Sequence, residues 1–97
     1  MDATFPALDE CDILRRGPRW TALAPIEARI IQVLLSRSGC VVRRSEFGSV
    51  WPQGMPAPRA VDARLTQLRE RIAPLGLQIR SVRARGLLLD VVPIGDA

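Results

Sequence analysis

Arg59-Ala60-Val61-Asp62-Ala63-Arg64-Leu65-Thr66-Gln67-Leu68-Arg69-Glu70-Arg71-Ile72-Ala73 (residues 59–73) is the stretch whose periodicity decides the fold. Val61, Leu65, Leu68 and Ile72 recur at i, i+4, i+7 and i+11, and at ~100° per residue they share one side of a helix. Arg59, Ala63, Thr66, Gln67 and Glu70 occupy the opposite side, with Arg64 and Arg71 along one flank. Pro74 and Gly76 close the helix. Beyond it, Leu77-Gln78-Ile79-Arg80-Ser81-Val82 alternates, Arg83-Ala84-Arg85-Gly86 turns, and Leu87-Leu88-Leu89-Asp90-Val91-Val92 returns. That pattern predicts a β-hairpin with a basic tip.

Upstream, Pro25 sits at a first helical position, and Ile26, Ile30, Ile31, Val33, Leu34 and Leu35 make a stripe broad enough to face a core. Gly39 stops that helix, and Cys40-Val41-Val42 follows as a short buried strand or extended link. Ser45 is the expected cap of a second, short helix that carries Phe47, Val50 and Trp51 inward. Pro52-Gln53-Gly54-Met55-Pro56-Ala57-Pro58, with three Pro and one Gly, is a loop. Nearer the start, Cys11 to Leu23 reads as a short hairpin turning at Gly17-Pro18, and residues 1–10 as irregular or a weak edge strand.

The chain has 97 residues, 47% of them hydrophobic and 25% charged, an ordinary composition for one small globular unit. Nothing approaches 18 consecutive apolar residues, so no membrane span is expected. The first fourteen residues hold Asp2, Asp9, Glu10 and Asp12 and no basic residue, which is the wrong start for a secretory signal. A cytoplasmic protein is the expectation. All 14 basic residues are Arg, a bias that a GC-rich genome explains, but their placement is uneven. Residues 59–85 hold seven Arg against Asp62 and Glu70, whereas the first fourteen residues sum to −4. An acidic end and a basic working end follow.

Absence removes several chemistries. Without His there is no Ser–His–Asp triad, no Cys–His pair and no imidazole metal ligand. Cys11 and Cys40 have no metal or redox spacing and are expected to be reduced and partly buried. No cofactor site, metal site or catalytic group is expected, so an enzyme is disfavoured.

Three helices followed by an arginine-tipped hairpin match a winged helix-turn-helix: an α+β fold with a C-terminal β-hairpin wing. A helix fits the DNA major groove, and its solvent side needs base readers and short side chains. Here Ala63 permits close approach, Thr66 and Gln67 supply hydrogen bonds, and flanking Arg64 and Arg71 neutralise phosphates. Arg83 and Arg85 at the tip suit the adjacent minor groove.

Residues 23–89 resemble the effector (DNA-binding) domain of the OmpR/PhoB-type response regulators. The matching pieces are Leu23-Ala24-Pro25-Ile26-Glu27, Val41-Val42-Arg43-Arg44-Ser45-Glu46-Phe47 into Val50-Trp51, Arg59-Ala60-Val61-Asp62, Leu68-Arg69, and Ser81-Val82-Arg83 with Gly86. The resemblance implies that residues 59–73 form the recognition helix and residues 80–90 the wing. It implies phosphate contacts at Trp51, Arg59 and Arg64, with Arg44 a further candidate. It also implies base-proximal positions at Thr66 and Gln67, and wing contacts at Ser81 and Arg83. The loop Pro52–Pro58 corresponds to a segment through which some members touch RNA polymerase. The sequence departs from the family at Ala24, where a Thr cap is usual, and at Ala84 and Leu87, where the wing usually has Gly and an aromatic. Residues 1–22 are expected to be an acidic segment with a short hairpin, a shortened N-terminal β-sheet ahead of the winged helix at 23–97. The 97 residues hold no receiver domain, and if they are the complete chain the expectation is that phosphorylation of an aspartate in cis does not control it.

Each assignment has a plainer counterpart. Trp51 can pack rather than touch DNA. Arg69 is as well placed to pair with Asp62 or Glu27 as to reach a duplex. Arg71 beside Glu70 fits a solvated face, and Met55 fits either a partner anchor or a cover for the core. Two function classes therefore stand. The first is a sequence-specific double-stranded DNA-binding transcription regulator, bacterial and nucleoid-associated, working as a homodimer on tandem half-sites. The second is a winged-helix module that binds RNA polymerase or another regulator, with weak or no DNA contact and an acidic tail laid over the basic helix.

Overall fold

The computed structural model describes residues 5–92; the outer ends of the segments expected at 1–22 and 23–97 lie outside them. Three short strands come first: β1 (Ala7–Leu8), β2 (Ile13–Arg16) and β3 (Arg19–Ala22), antiparallel in that order. Arg16 pairs with Arg19, so Gly17-Pro18 is a two-residue hairpin loop, as its sequence implies. Gly17 supplies the positive φ of 60° and Pro18 fixes a negative one, the pattern of a type II′ turn. Before β2, Asp9 accepts the Cys11 and Ile13 amides at 2.8 and 3.0 Å and faces Arg15 at 3.3 Å. The Ile13 bond does most to hold its carboxyl below the usual carboxylate range, and partial desolvation opposes it.

Alternation decides which side of the hairpin is buried. Leu14 and Arg16 point inward, with Leu14 fully buried, while Arg15 is exposed. Buried Arg16 is long enough to act at a distance. Its guanidinium donates to the carbonyls of Leu75, Gly76 and Val92 at 2.8, 3.1 and 2.6 Å. Arg19 adds a bond to Pro74 O at 2.7 Å. The N-terminal sheet is thereby fastened to the end of the helix that carries the periodic stripe.

α1 (Pro25–Ser36) follows. Ala24 has no side-chain acceptor, so only half a capping box forms: Glu27 Oε1 accepts the Ala24 amide at 2.9 Å. Ala28, Ile30, Ile31 and Leu34 face the core. The expected second helix is a 3-10 helix at Arg44–Val50, and its cap is Arg43 rather than Ser45. Glu46 decides this by accepting the Arg43 amide at 3.2 Å, which starts the turn earlier than the Ser would. Phe47 and Val50 are buried and Trp51 half-buried.

α2 (Pro58–Ile72) begins on Pro at its first position, and Val61, Leu65, Leu68 and Ile72 are its buried residues, as the periodicity predicts. Burying each such side chain contributes roughly 1.5–3 kcal/mol. A 3-10 turn (Ala73–Leu75) ends at Gly76 in the left-handed region, φ 71°. β4 (Leu77–Val82) and β5 (Gly86–Val91) form the C-terminal hairpin. Val42 bridges Leu87 with reciprocal bonds of 2.7 and 2.9 Å, so the link before the 3-10 helix is pinned to the wing. The core gathers residues from Leu14 to Leu89 around α1, α2 and both hairpins. Cys11 and Cys40 are both free and, contrary to expectation, exposed. They lie in turns beside Asp12 and Gly39, both of positive φ, and turns run over the surface.

Candidate nucleic-acid interface

With its apolar side spent on the core, α2 turns Arg59, Asp62, Ala63, Thr66, Gln67 and Glu70 to solvent. Arg64 is half-buried on one flank. On the other flank, Arg69 is bound to the wing. Its Nε donates to Ile79 O at 2.9 Å and its Nη2 to Ser81 Oγ at 3.2 Å. This corrects the expected pairing with Asp62 or Glu27: β4 runs beside the helix and offers a strand carbonyl within reach. Ser81 is therefore a tie between wing and helix as well as an exposed wing residue.

Glu27 has a different partner. The carboxylate is fully buried, and its Oε1 lies 3.3 Å from Arg71 Nε. Arg71 thus joins the end of α2 to the start of α1. A half-exposed guanidinium committed to a buried carboxylate is less free for phosphate than Arg59 or Arg64.

The wing tip is a tight turn closed by Arg85 N–H to Val82 O at 2.9 Å, with Ala84 at φ 62°. Gly86 follows at φ 145°, where a Cβ would lie 2.1 Å from Val42 O. Arg83 and Arg85 are exposed, and neither has a carboxylate partner among the described residues. Arg80, by contrast, is neutralised across the hairpin by Asp90 at 2.8 Å.

Between the wing tip and the start of the 3-10 helix runs an open groove lined by Arg37, Arg43, Arg44, Ser81, Arg83 and Arg85. The structure thus brings Arg44, Ser81, Arg83 and Arg85 together and adds Arg37 and Arg43, which the sequence did not single out. Among the described residues Arg37 alone of these arginines is offset, by its ion pair with Glu46. Arg44 also borders a small apolar cleft with Trp51, Met55, Val61 and Leu65, which places it and Trp51 near the start of α2. Arg43 was detectable only as half of an Arg-Arg pair. Arg37 closes the preceding helix six residues before its groove partner Arg43, across the Gly39 turn, and no local pattern links them.

Among the described residues there is no cluster of three or more metal-ligating side chains, and no helix is long and apolar enough to cross a membrane. Neither a protein-family model nor a curated protein matches the chain. Solved structures do. The C-terminal domain of the nisin resistance regulator NsrR, a lantibiotic response regulator, superposes with a TM-score of 0.76 at 26% identity, over 92% of this chain and 96% of that one. The fold is that of an OmpR/PhoB-type winged-helix effector domain. The response regulator AdeR DNA-binding domain, solved in complex with an intercistronic region, has a TM-score of 0.72 at 21% identity over 89% of this chain and 94% of its own. The Klebsiella pneumoniae RstA DNA-binding domain, solved with its RstA box, gives 0.70 at 18% over 91% and 93%. These two support the fold rather than any shared residue.

Proposed function

We propose that this protein is a sequence-specific double-stranded DNA-binding transcription regulator. The supporting observation is the wing tip: Arg83 and Arg85 are exposed and unpaired, beside a groove that also holds Arg43 and Arg44. Guanidinium groups this close repel one another unless an external polyanion neutralises them. In this reading α2 enters the major groove and the wing lies near the minor groove. Arg44, Trp51, Arg59 and Arg64 meet the backbone, Arg83 and Arg85 serve the wing, and Arg71 lends only its exposed edge. Gln67, the one side-chain amide on the outer face of α2, suits adenine. An α2 of 15 residues makes limited contact, so two copies on tandem half-sites are proposed. The site of action is then the bacterial cytoplasm, on the nucleoid.

Fluorescence anisotropy of three chains tests the assignment. Arg83→Ala is expected to weaken binding to all duplexes and to reduce the salt slope by about 1. Gln67→Ala is expected to change which sequence is preferred. If Gln67→Ala leaves the preferred sequence untouched, the base-reading role is wrong.

One observation favours the interaction-module alternative. Met55 is 42% exposed in the 52–58 loop, and other residues of that loop, Pro52 and Pro56, line a shallow apolar cleft with Ile26 and Trp51. An RNA polymerase contact there is compatible with DNA binding, and only a chain that captures polymerase in nuclease-treated extract while ignoring DNA would favour the second class.

A further inference from the structure

Asp62, Thr66 and Arg69 follow one another at i, i+4 and i+7, along the edge of α2 that faces the wing. Arg69 is turned inward onto Ile79 O and Ser81 Oγ. Thr66 spends its hydroxyl hydrogen on Asp62 O at 3.0 Å, so it can offer a partner only oxygen lone pairs and a methyl group. Asp62 is exposed, and its carboxylate has neither a hydrogen bond nor an ion pair among the described residues. It lies past the first turn of a helix that starts at Pro58, where the macrodipole stabilises an anion little. An unpaired carboxylate on this edge repels phosphate and would weaken DNA binding unless it met a donor.

We infer that Asp62 is a specificity-determining residue that selects cytosine, and that Thr66 one turn later meets a pyrimidine edge through its methyl group. The inference rests on the DNA-binding reading above. In the major groove cytosine shows an amino donor, guanine two acceptors, and adenine a donor beside the N7 acceptor. A carboxylate therefore accepts from cytosine N4, is repelled by guanine, and meets a mixed edge at adenine. Asp62 and Thr66 thus present acceptors and a methyl along the wing edge, Arg59 stands at the N-terminal end of that side, and the donors of Gln67 and Arg64 lie towards the other flank.

Selection from a random duplex pool, followed by titration of the chosen duplexes, tests this with the intact chain and the variants Asp62→Asn and Asp62→Ala. Because Asp62 is exposed, both variants are expected to melt like the parent, which a thermal scan checks. The intact chain is expected to prefer cytosine at one position by roughly 5- to 150-fold. Asp62→Ala is expected to lose that preference and no other, and Asp62→Asn to exchange it for adenine, which an amide binds bidentately. Equal tightening of both variants on every sequence, with preferences unchanged, would overturn the inference by showing that Asp62 only repels phosphate. An intact chain that binds no duplex would overturn the DNA-binding reading itself, and this inference with it.

Discussion

At the scale of single residues, two backbone positions decide the wing. Gly86 passes so close to Val42 O that no side chain fits, and its φ of 145° strains any L residue as well. Gly86→Ala is expected to cost roughly 2–5 kcal/mol, read as a drop in the urea midpoint, with the Val42–Leu87 bridge lost first in hydrogen exchange. Two positions earlier, Ala84 occupies the left-handed region at φ 62°, which costs an L residue about 1–2 kcal/mol. Ala84→Gly relieves that strain but frees the unfolded chain, so a net gain of a few tenths to about 1 kcal/mol is expected in thermal melting. The sequence showed that Gly was missing at position 84. It did not show that Ala84 itself takes the left-handed conformation a Gly would favour. Buried Arg16 was equally silent, because its three carbonyl partners lie some sixty residues or more along the chain. Free Cys tends to be buried, but Cys11 and Cys40 sit where the chain turns, and turns run over the surface.

Among the elements, α2 was the most legible, since a stripe of four apolar residues at helical spacing survives any arrangement of neighbours. The Gly17-Pro18 hairpin was legible for a local reason too, because the two residues dictate the turn between them. The 3-10 helix at 44–50 was placed correctly but capped wrongly, as the reciprocal bond from Glu46 outcompetes a Ser placed two residues later. What could not be read locally is how the elements are joined. Arg16 fastens β2 to the 3-10 turn after α2, and Arg71 with Glu27 fastens the end of α2 to α1. Arg16→Leu fills similar space but withdraws a charged donor from buried carbonyls. It is expected to cost about 3 kcal/mol in denaturant unfolding and to free the N-terminal hairpin in limited proteolysis.

For the molecule as a whole, the fold was readable from the order of its elements and the interface only in part. Arg44, Ser81, Arg83 and Arg85 were singled out and do meet around one groove, while Arg37 and Arg43 join them only in three dimensions. The described part of the acidic N-terminal segment is engaged locally: Asp9 binds the Cys11 and Ile13 amides and Arg15, none of them on α2. Among the described residues, that acidic carboxylate is held within the N-terminal sheet region and away from α2 and the wing. If α2 and the wing act together, about 4–6 phosphates are neutralised per copy, and affinity must fall steeply with salt. The most direct measurement is therefore the association constant of the intact chain for duplex DNA between 50 and 200 mM salt. A log–log slope of about −4 to −5, a loss of roughly 250- to 1000-fold across that range, is expected. A slope shallower than about −2, or no binding at the low-salt end, would contradict the proposal that α2 and the arginine-tipped wing grip a duplex.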